Sequence, residues 1–204
     1  MSTREKCKVG VLVSGRGSNL QALIDAGFAD SFPAKIVLVI SNVPDAYGLV
    51  RASTAGIPAG VISHRGKTRE DFDAEIDDAL RAAGVEIVCL AGFMRILSPG
   101  FVRAWEGKLL NIHPSLLPSF KGTRVHERVI EAKVTQSGAS VHFVLPELDA
   151  GPVIAQSVVP VLANDTPDTL AGRVLQAEHR LYPTALRLVC EGRVRLEHGE
   201  AVFA

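Results

Sequence analysis

Residues 9–24 read VGVLVSGRGSNLQALI, and three textures follow one another within them. Val9 to Val13 is a short apolar run of the kind that forms a buried strand. Ser14 to Asn19 is a turn of serine, glycine and asparagine around Arg16. Leu20, Leu23 and Ile24 then recur at helical spacing. The pattern repeats downstream. Ile36 to Ile40 is a second apolar run, ended by Ser41, Asn42 and Pro44, and a helix is expected over Tyr47 to Thr54. Pro58 to Ile62 is a third strand-like piece. Thr68 opens a helix, with Asp71 three residues on as a capping-box signature. Phe72, Ile76, Ala79, Leu80 and Ala83 give that helix one apolar face, and Gly84 ends it. Val85 to Ala91 is a fourth strand, apolar on both faces apart from Glu86. Continuous apolar strands that alternate with amphipathic helices argue for a parallel sheet covered on both sides.

The second half is more mixed. Leu109 to His113 reads as a strand cut off by Pro114, and Ser115 to Thr123 as a loop. A short helix follows over about Val125 to Ala132. Ser140 to Val144 and Val153 to Val161 are strands joined by the acidic turn Glu147 to Gly151. Thr166-Pro167 starts a long helix, with proline at the first helical position. Leu170, Val174, Leu181, Ala185 and Leu188 form its face, and Gly192 lies just past its end. Arg193 to Phe203 suggests a terminal hairpin around His198-Gly199. The expected fold is α/β: a Rossmann-like, doubly wound, mostly parallel sheet with helices on both faces and a smaller, mixed C-terminal portion. No linker or repeat divides residues 1–204, which read as one domain with halves at about 1–100 and 101–204.

Composition narrows the function. The 204 residues are long enough to bury a sizeable core, and 47% are hydrophobic and 22% charged, near the globular norm. Lys plus Arg equals Asp plus Glu at 22 each. No basic excess points to nucleic acid or an anionic membrane surface. Cys7, Cys89 and Cys190 are far apart in sequence, and an odd count gives no disulfide framework. The start, Met1 to Lys8, has no hydrophobic signal region, and no apolar stretch approaches a membrane span. A cytoplasmic, reducing location is expected.

Three places carry chemistry. Ser14-Gly15-Arg16-Gly17-Ser18-Asn19 lies between a strand and a helix, where free N–H groups can hold an anion. It reads equally as an ordinary tight turn with Ser18 or Asn19 as the helix N-cap. Asn111-Ile112-His113-Pro114 ends a strand. Alternation puts Asn111 and His113 on one face, at the strand end where ligands gather in open α/β sheets. An amide donor beside an imidazole suits acyl chemistry, although a polar strand end satisfied by local hydrogen bonds is the plainer reading. Asp149 precedes Gly151-Pro152 in what is ordinarily turn chemistry. It gains meaning only if it folds back onto His113, where a carboxylate favours a charged imidazole. His142 reads as structural, His126 and His179 as helix-surface residues, and His64 and His198 as loop residues. No pair has metal-ligand spacing, so no metal is expected.

Taken together, VLVSGRGSNLQALIDA, VCLAGFMRILS, LLNIHPSLLPSFKG, VHFVLPELDAGPVI and AEHRLYP resemble the phosphoribosylglycinamide formyltransferase family, in the family's order, over about residues 8–183. The resemblance implies formyl transfer from 10-formyltetrahydrofolate, a cosubstrate, to the amine of glycinamide ribonucleotide in de novo purine (IMP) biosynthesis. It makes Asn111, His113 and Asp149 the catalytic trio. It assigns the acceptor's phosphate to Gly17, Ser18 and Asn19, and its ribose to Glu178. It assigns folate to Arg69, Met94, Arg95, Ile96, Leu97 and Asn111. Leu145 to Gly151 matches the mobile loop over the pterin. The halves then divide into phosphate binding and catalysis with folate binding. Two departures affect secondary contacts. Arg124 stands where relatives often carry the first of two histidines, leaving His126, and Leu175 stands where they often carry Gln or Lys. The resemblance implies a monomer or homodimer with small-molecule partners only. A formyltetrahydrofolate hydrolase, with water as acceptor, is the alternative.

Overall fold

The computed structural model describes residues 5–204. The reading of Met1 to Lys8 as lacking a signal region lies outside the described residues at 1–4. Nine strands and six helices follow one another among the described residues. They are β1 (Cys7–Val13), α1 (Ser18–Gly27), β2 (Ala34–Ser41), α2 (Tyr47–Thr54), β3 (Ala59–Val61), α3 (Arg69–Ala82), β4 (Ile87–Leu90), α4 (Pro99–Ala104), β5 (Leu109–His113), α5 (Val125–Glu131), β6 (Gln136–Phe143), β7 (Val153–Pro160), α6 (Pro167–Cys190), β8 (Val194–Glu197) and β9 (Glu200–Phe203).

Seven strands form one sheet in the order β3-β2-β1-β4-β5-β6-β7, and β8 and β9 form a separate hairpin. The first five pair in parallel, β6 runs antiparallel to β5, and β7 runs antiparallel to β6. The doubly wound, mostly parallel sheet with a mixed C-terminal portion is therefore what forms. The chain winds outward from β1 to β3 and then returns to place β4 on the other side of β1. The crevice between β1 and β4 is the topological switch point, where such sheets bind ligands.

Two apolar layers sandwich the sheet. Leu20 and Leu23 of α1, Val125 and Val129 of α5, and Val174 and Leu181 of α6 pack with the strands on one side. Phe72, Ile76 and Leu80 of α3, with Phe101 and Val102 of α4, pack on the other. The strands are apolar on both faces because both are covered. Tyr182 is fully buried on α6, and its hydroxyl lies 3.0 Å from the Leu90 carbonyl and 3.2 Å from that of Leu110. It anchors α6 across β4 and β5.

Several local expectations change. The helix α4 follows Ser98, whose side chain accepts from the Phe101 N–H, and Pro99 occupies its first turn. The Ser-Pro pair carried that signal, but six residues are too short to show a helical period. The capping box expected at Thr68 forms only in part. Thr68 accepts from the Asp71 N–H, but the Asp71 carboxylate accepts from the Thr68 hydroxyl rather than from the N-cap backbone. Asp is one methylene shorter than the Glu or Gln that closes the box. The complete box forms at Thr166 and Thr169. The N-cap of α1 is Gly17, not Ser18 or Asn19. Two of the cysteines far apart in sequence, Cys7 and Cys190, become neighbours, and all three cysteines remain free.

Candidate active site

The loop after β1 is shaped by two glycines. Gly17 has φ 65°, a left-handed conformation that disfavours side chains. A Cβ added there would lie 2.6 Å from the Cα of Gly48, at the start of α2. The Gly48 N–H donates to the Gly15 carbonyl at 3.0 Å. Arg51 donates from Nε to the Arg16 carbonyl at 2.8 Å and stacks on Tyr47. The loop's carbonyls thus turn toward α2. The first bond of α1 runs from the Gln21 N–H to the Gly17 carbonyl at 2.9 Å, and no side chain caps the helix. The N–H groups of Ser18, Asn19 and Leu20 are left at the helix end, available to an anion. They face a cleft of about 230 Å³ lined by residues 14–19 with Ala91, Gly92 and Met94.

Asn19 and Glu178 meet although 159 residues separate them: the Asn19 Nδ2 donates to the Glu178 Oε2 at 2.8 Å. Glu178 is 6% exposed. Burial raises its carboxyl above the ordinary carboxylate range, and the Asn19 amide partly opposes that shift. The Asn19 Oδ1 is buried without a partner.

One step along the edge, β5 ends in Asn111 and His113. The antiparallel register sets Asn111 opposite His142 of β6. The Nδ1 of His142 donates to its neighbour's carbonyl, that of Phe143, at 2.8 Å, so its Nε2 is the accepting nitrogen. Burial lowers the His142 pKa, which favours this neutral form. Its Nε2 accepts from the Asn111 Nδ2 at 3.2 Å and lies 3.8 Å from the Asp149 Oδ1. The other oxygen, Oδ2, accepts from the Gly122 N–H at 2.8 Å and lies 3.4 Å from the His113 Nδ1. The His113 Nε2 donates to the Phe120 carbonyl at 3.0 Å.

Asn111, His142, Asp149 and His113 therefore form one chain of polar contacts, and the expected return of Asp149 onto His113 occurs. His142, read as structural, stands in the middle of it. Nothing in Val141-His142-Phe143 announced this, because the neighbour across the sheet is set by register. Asn111, His142 and Asp149 line a cavity of about 120 Å³ with Arg95, Ile96 and Leu97. His113 sits behind Asp149.

Residues 91–97 divide the two clefts. Met94 lines the glycine-loop side, while Arg95, Ile96 and Leu97 line the other. Met94 is 78% and Ile96 61% exposed, a marked opening of large apolar side chains at a crevice. Arg69 is exposed at the first turn of α3 and lines neither cleft. Arg124 is exposed in left-handed conformation before α5 and pairs with Glu127 at 3.8 Å. Among the described residues no group of three His, Cys, Asp or Glu side chains could hold a metal ion, and no helix is long and apolar enough to cross a membrane.

Residues 7–186 match the formyl transferase family. The chain is 56% identical over 193 residues to the trifunctional purine biosynthetic protein adenosine-3 of Bos taurus, spanning 94% of this chain and 19% of that one. It is 45% identical over 192 residues to the phosphoribosylglycinamide formyltransferase of Escherichia coli, covering 94% of this chain and 91% of that protein. Of solved structures, glycinamide ribonucleotide transformylase 1 from Symbiobacterium toebii superposes with a TM-score of 0.94 at 41% identity, over 100% of this chain and 99% of that one. A formyltetrahydrofolate deformylase from Pseudomonas syringae shares the fold at TM-score 0.90 but only 30% identity, over 98% of this chain and 67% of that one.

Proposed function

This chain belongs to the phosphoribosylglycinamide formyltransferase family, and on that premise we propose that it transfers the formyl group of 10-formyltetrahydrofolate to the amine of glycinamide ribonucleotide in purine biosynthesis. The observation that carries the reading is the pair of clefts sharing one wall. One offers the uncapped amino end of α1, and the other offers Asn111 and Asp149. A hydrolase that uses water has no need of the first.

In this reading the acceptor's phosphate sits on the N–H groups of Gly17, Ser18 and Asn19, and Glu178 takes ribose hydroxyls. The folate lies against Arg95, Ile96 and Leu97. Met94 borders both ligands, and Arg69 reaches only the outer end of the folate. The amine nitrogen attacks the formyl carbon, and the tetrahedral adduct carries an oxyanion. Asn111, held in orientation by neutral His142, donates to that oxygen. His113 joins it when its Nε2–H turns from the Phe120 carbonyl to the substrate. Asp149 fixes the His113 ring and passes on, through water, the proton lost by the amine. The bond to N10 then breaks, N10 gains a proton, and tetrahydrofolate leaves. The first half of the chain supplies the phosphate subsite and the second the catalytic groups.

The deciding experiment is acceptor dependence. Purified protein should release tetrahydrofolate rapidly only when glycinamide ribonucleotide is present, and removing the acceptor's phosphate should slow the reaction sharply, since remote binding energy positions the amine. Formyl release at an unchanged rate without acceptor would establish a hydrolase and refute the proposal.

A further inference from the structure

The carboxyl ends of β1 and β4 are tied together by polar contacts that take no part in the proposed chemistry. The Ser14 N–H donates to the Gly92 carbonyl at 3.2 Å. The Ser14 hydroxyl accepts from the Met94 N–H at 2.7 Å and donates to the Asn42 Oδ1 at 2.6 Å. The Asn42 Nδ2 lies 3.2 Å from the His64 Nδ1, and Asn42 is buried. The direction of every bond in this chain follows from its end. A backbone N–H can only donate, so the Ser14 oxygen accepts from Met94, and its single proton goes to the Asn42 carbonyl oxygen. That leaves the Asn42 NH₂ facing His64, whose Nδ1 must accept.

The segment that Ser14 holds is the wall between the two clefts. Residues 91–97 contain no helix or strand. Their large side chains Met94 and Ile96 face solvent rather than a packed neighbour. Phe93 stacks on Phe72, Leu97 is buried in the core, and the Ser98 N–H donates to the buried Asp73 carboxylate. Between those packed side chains, the bond to the Ser14 hydroxyl is the polar contact that holds the Met94 backbone, and with it the exposed middle of the wall. Ser14 is also the first residue of the 14–19 loop, so whatever orders that loop acts directly on the wall.

We propose that Ser14, oriented by Asn42 and through it by His64, is a positioning residue that couples the two clefts, so that a ligand in one raises the affinity of the other. The proposal rests on the substrates assigned above. An anion gathered by the N–H groups of α1 orders the loop. The hydroxyl bond to Met94 passes that order to the wall, and the second ligand then loses less freedom on binding. Such a coupling is reciprocal.

The test is equilibrium binding of tetrahydrofolate, which cannot react alone, to the full chain with and without saturating glycinamide ribonucleotide. The parent chain should bind it about fivefold or more tightly when the nucleotide is present, the range of ordinary coupling energies. In Ser14→Ala that ratio should fall to about one. Asn42→Leu should also abolish it, whereas Asn42→Asp, which keeps an acceptor for the Ser14 hydroxyl, should retain it. A second readout does not depend on any variant folding: hydrogen exchange at the Met94 amide of the parent chain should slow several-fold when the nucleotide is added. A parent ratio of one, an unchanged ratio in Ser14→Ala, or unaltered Met94 exchange with both ligands binding would overturn the coupling and leave the substrate assignment standing. Failure of glycinamide ribonucleotide to bind at all would instead overturn that assignment, and the coupling with it.

Discussion

Gly17→Ala tests the proposed phosphate subsite where its loop comes closest to α2. The left-handed backbone at φ 65° costs an L side chain about 1–2 kcal/mol. The added methyl would also stand 2.6 Å from the Gly48 Cα, backbone that the bond to Gly15 holds in place. Overpacking of that kind costs about 1–3 kcal/mol. Together these predict a melting temperature lower by roughly 5–15 °C for a chain of this size. The loop relieves the clash by moving off α2, which misdirects the N–H groups of α1. Losing one charge-assisted bond, about 1.5–3 kcal/mol, raises KM for glycinamide ribonucleotide roughly tenfold to a hundredfold. The assay is steady-state formyl transfer with each substrate varied while the other is saturating. The folate KM, measured at saturating acceptor, should stay within about twofold. Gly27→Ala, at the far end of α1, is the control: no atom lies within 4 Å of its added Cβ, its φ is not in the left-handed region and it lines neither cleft, so it should leave both constants alone. Equal rises in both KM values in Gly17→Ala would show that the loop is only structural, and an unchanged acceptor KM would place the phosphate elsewhere.

Arg124→Ala removes an exposed charge at the entry to α5, so acceptor or folate KM should rise about twofold to fivefold with most of kcat retained; a loss of turnover as deep as that of His113→Ala refutes the peripheral role. Glu178→Gln should raise the acceptor KM about twofold to tenfold, the worth of one hydrogen bond. The same change should raise thermal stability at neutral pH. Burial raises the folded carboxyl pKa, so the stability that the proton confers is present below the unfolded value and lost as pH rises through the folded one. The advantage of Gln should therefore shrink in melts at acidic pH, and a constant difference across pH would contradict the assignment. Alkylation at mildly alkaline pH should strike Cys7 first, since the adjoining Cys190 thiol lowers its pKa, while burial pushes the Cys89 thiol up to about 12 and delays it until unfolding. Peptide mapping that finds Cys89 labelled first in the folded chain would reverse that order.

The strands, most of the helices and the two principal motifs were legible in the linear chain, because periodicity records which side of an element is buried and glycine or proline records where it must turn. Val9 to Val13, the glycine turn and the Leu20-Leu23-Ile24 stripe announced β1 and α1, and alternation placed Asn111 and His113 on one face. The six-residue α4 escaped because it is shorter than two helical turns. Which elements become neighbours was another matter. Register across β5 and β6 set His142 beside Asn111, and winding about the switch point brought Ser14 to Met94, 80 residues away, and Asn19 to Glu178. No local pattern encodes such meetings. They follow from how a twisted sheet buries both of its faces, so the candidate site residues were named by the sequence, while the neighbours they meet were chosen by the packing of the whole chain.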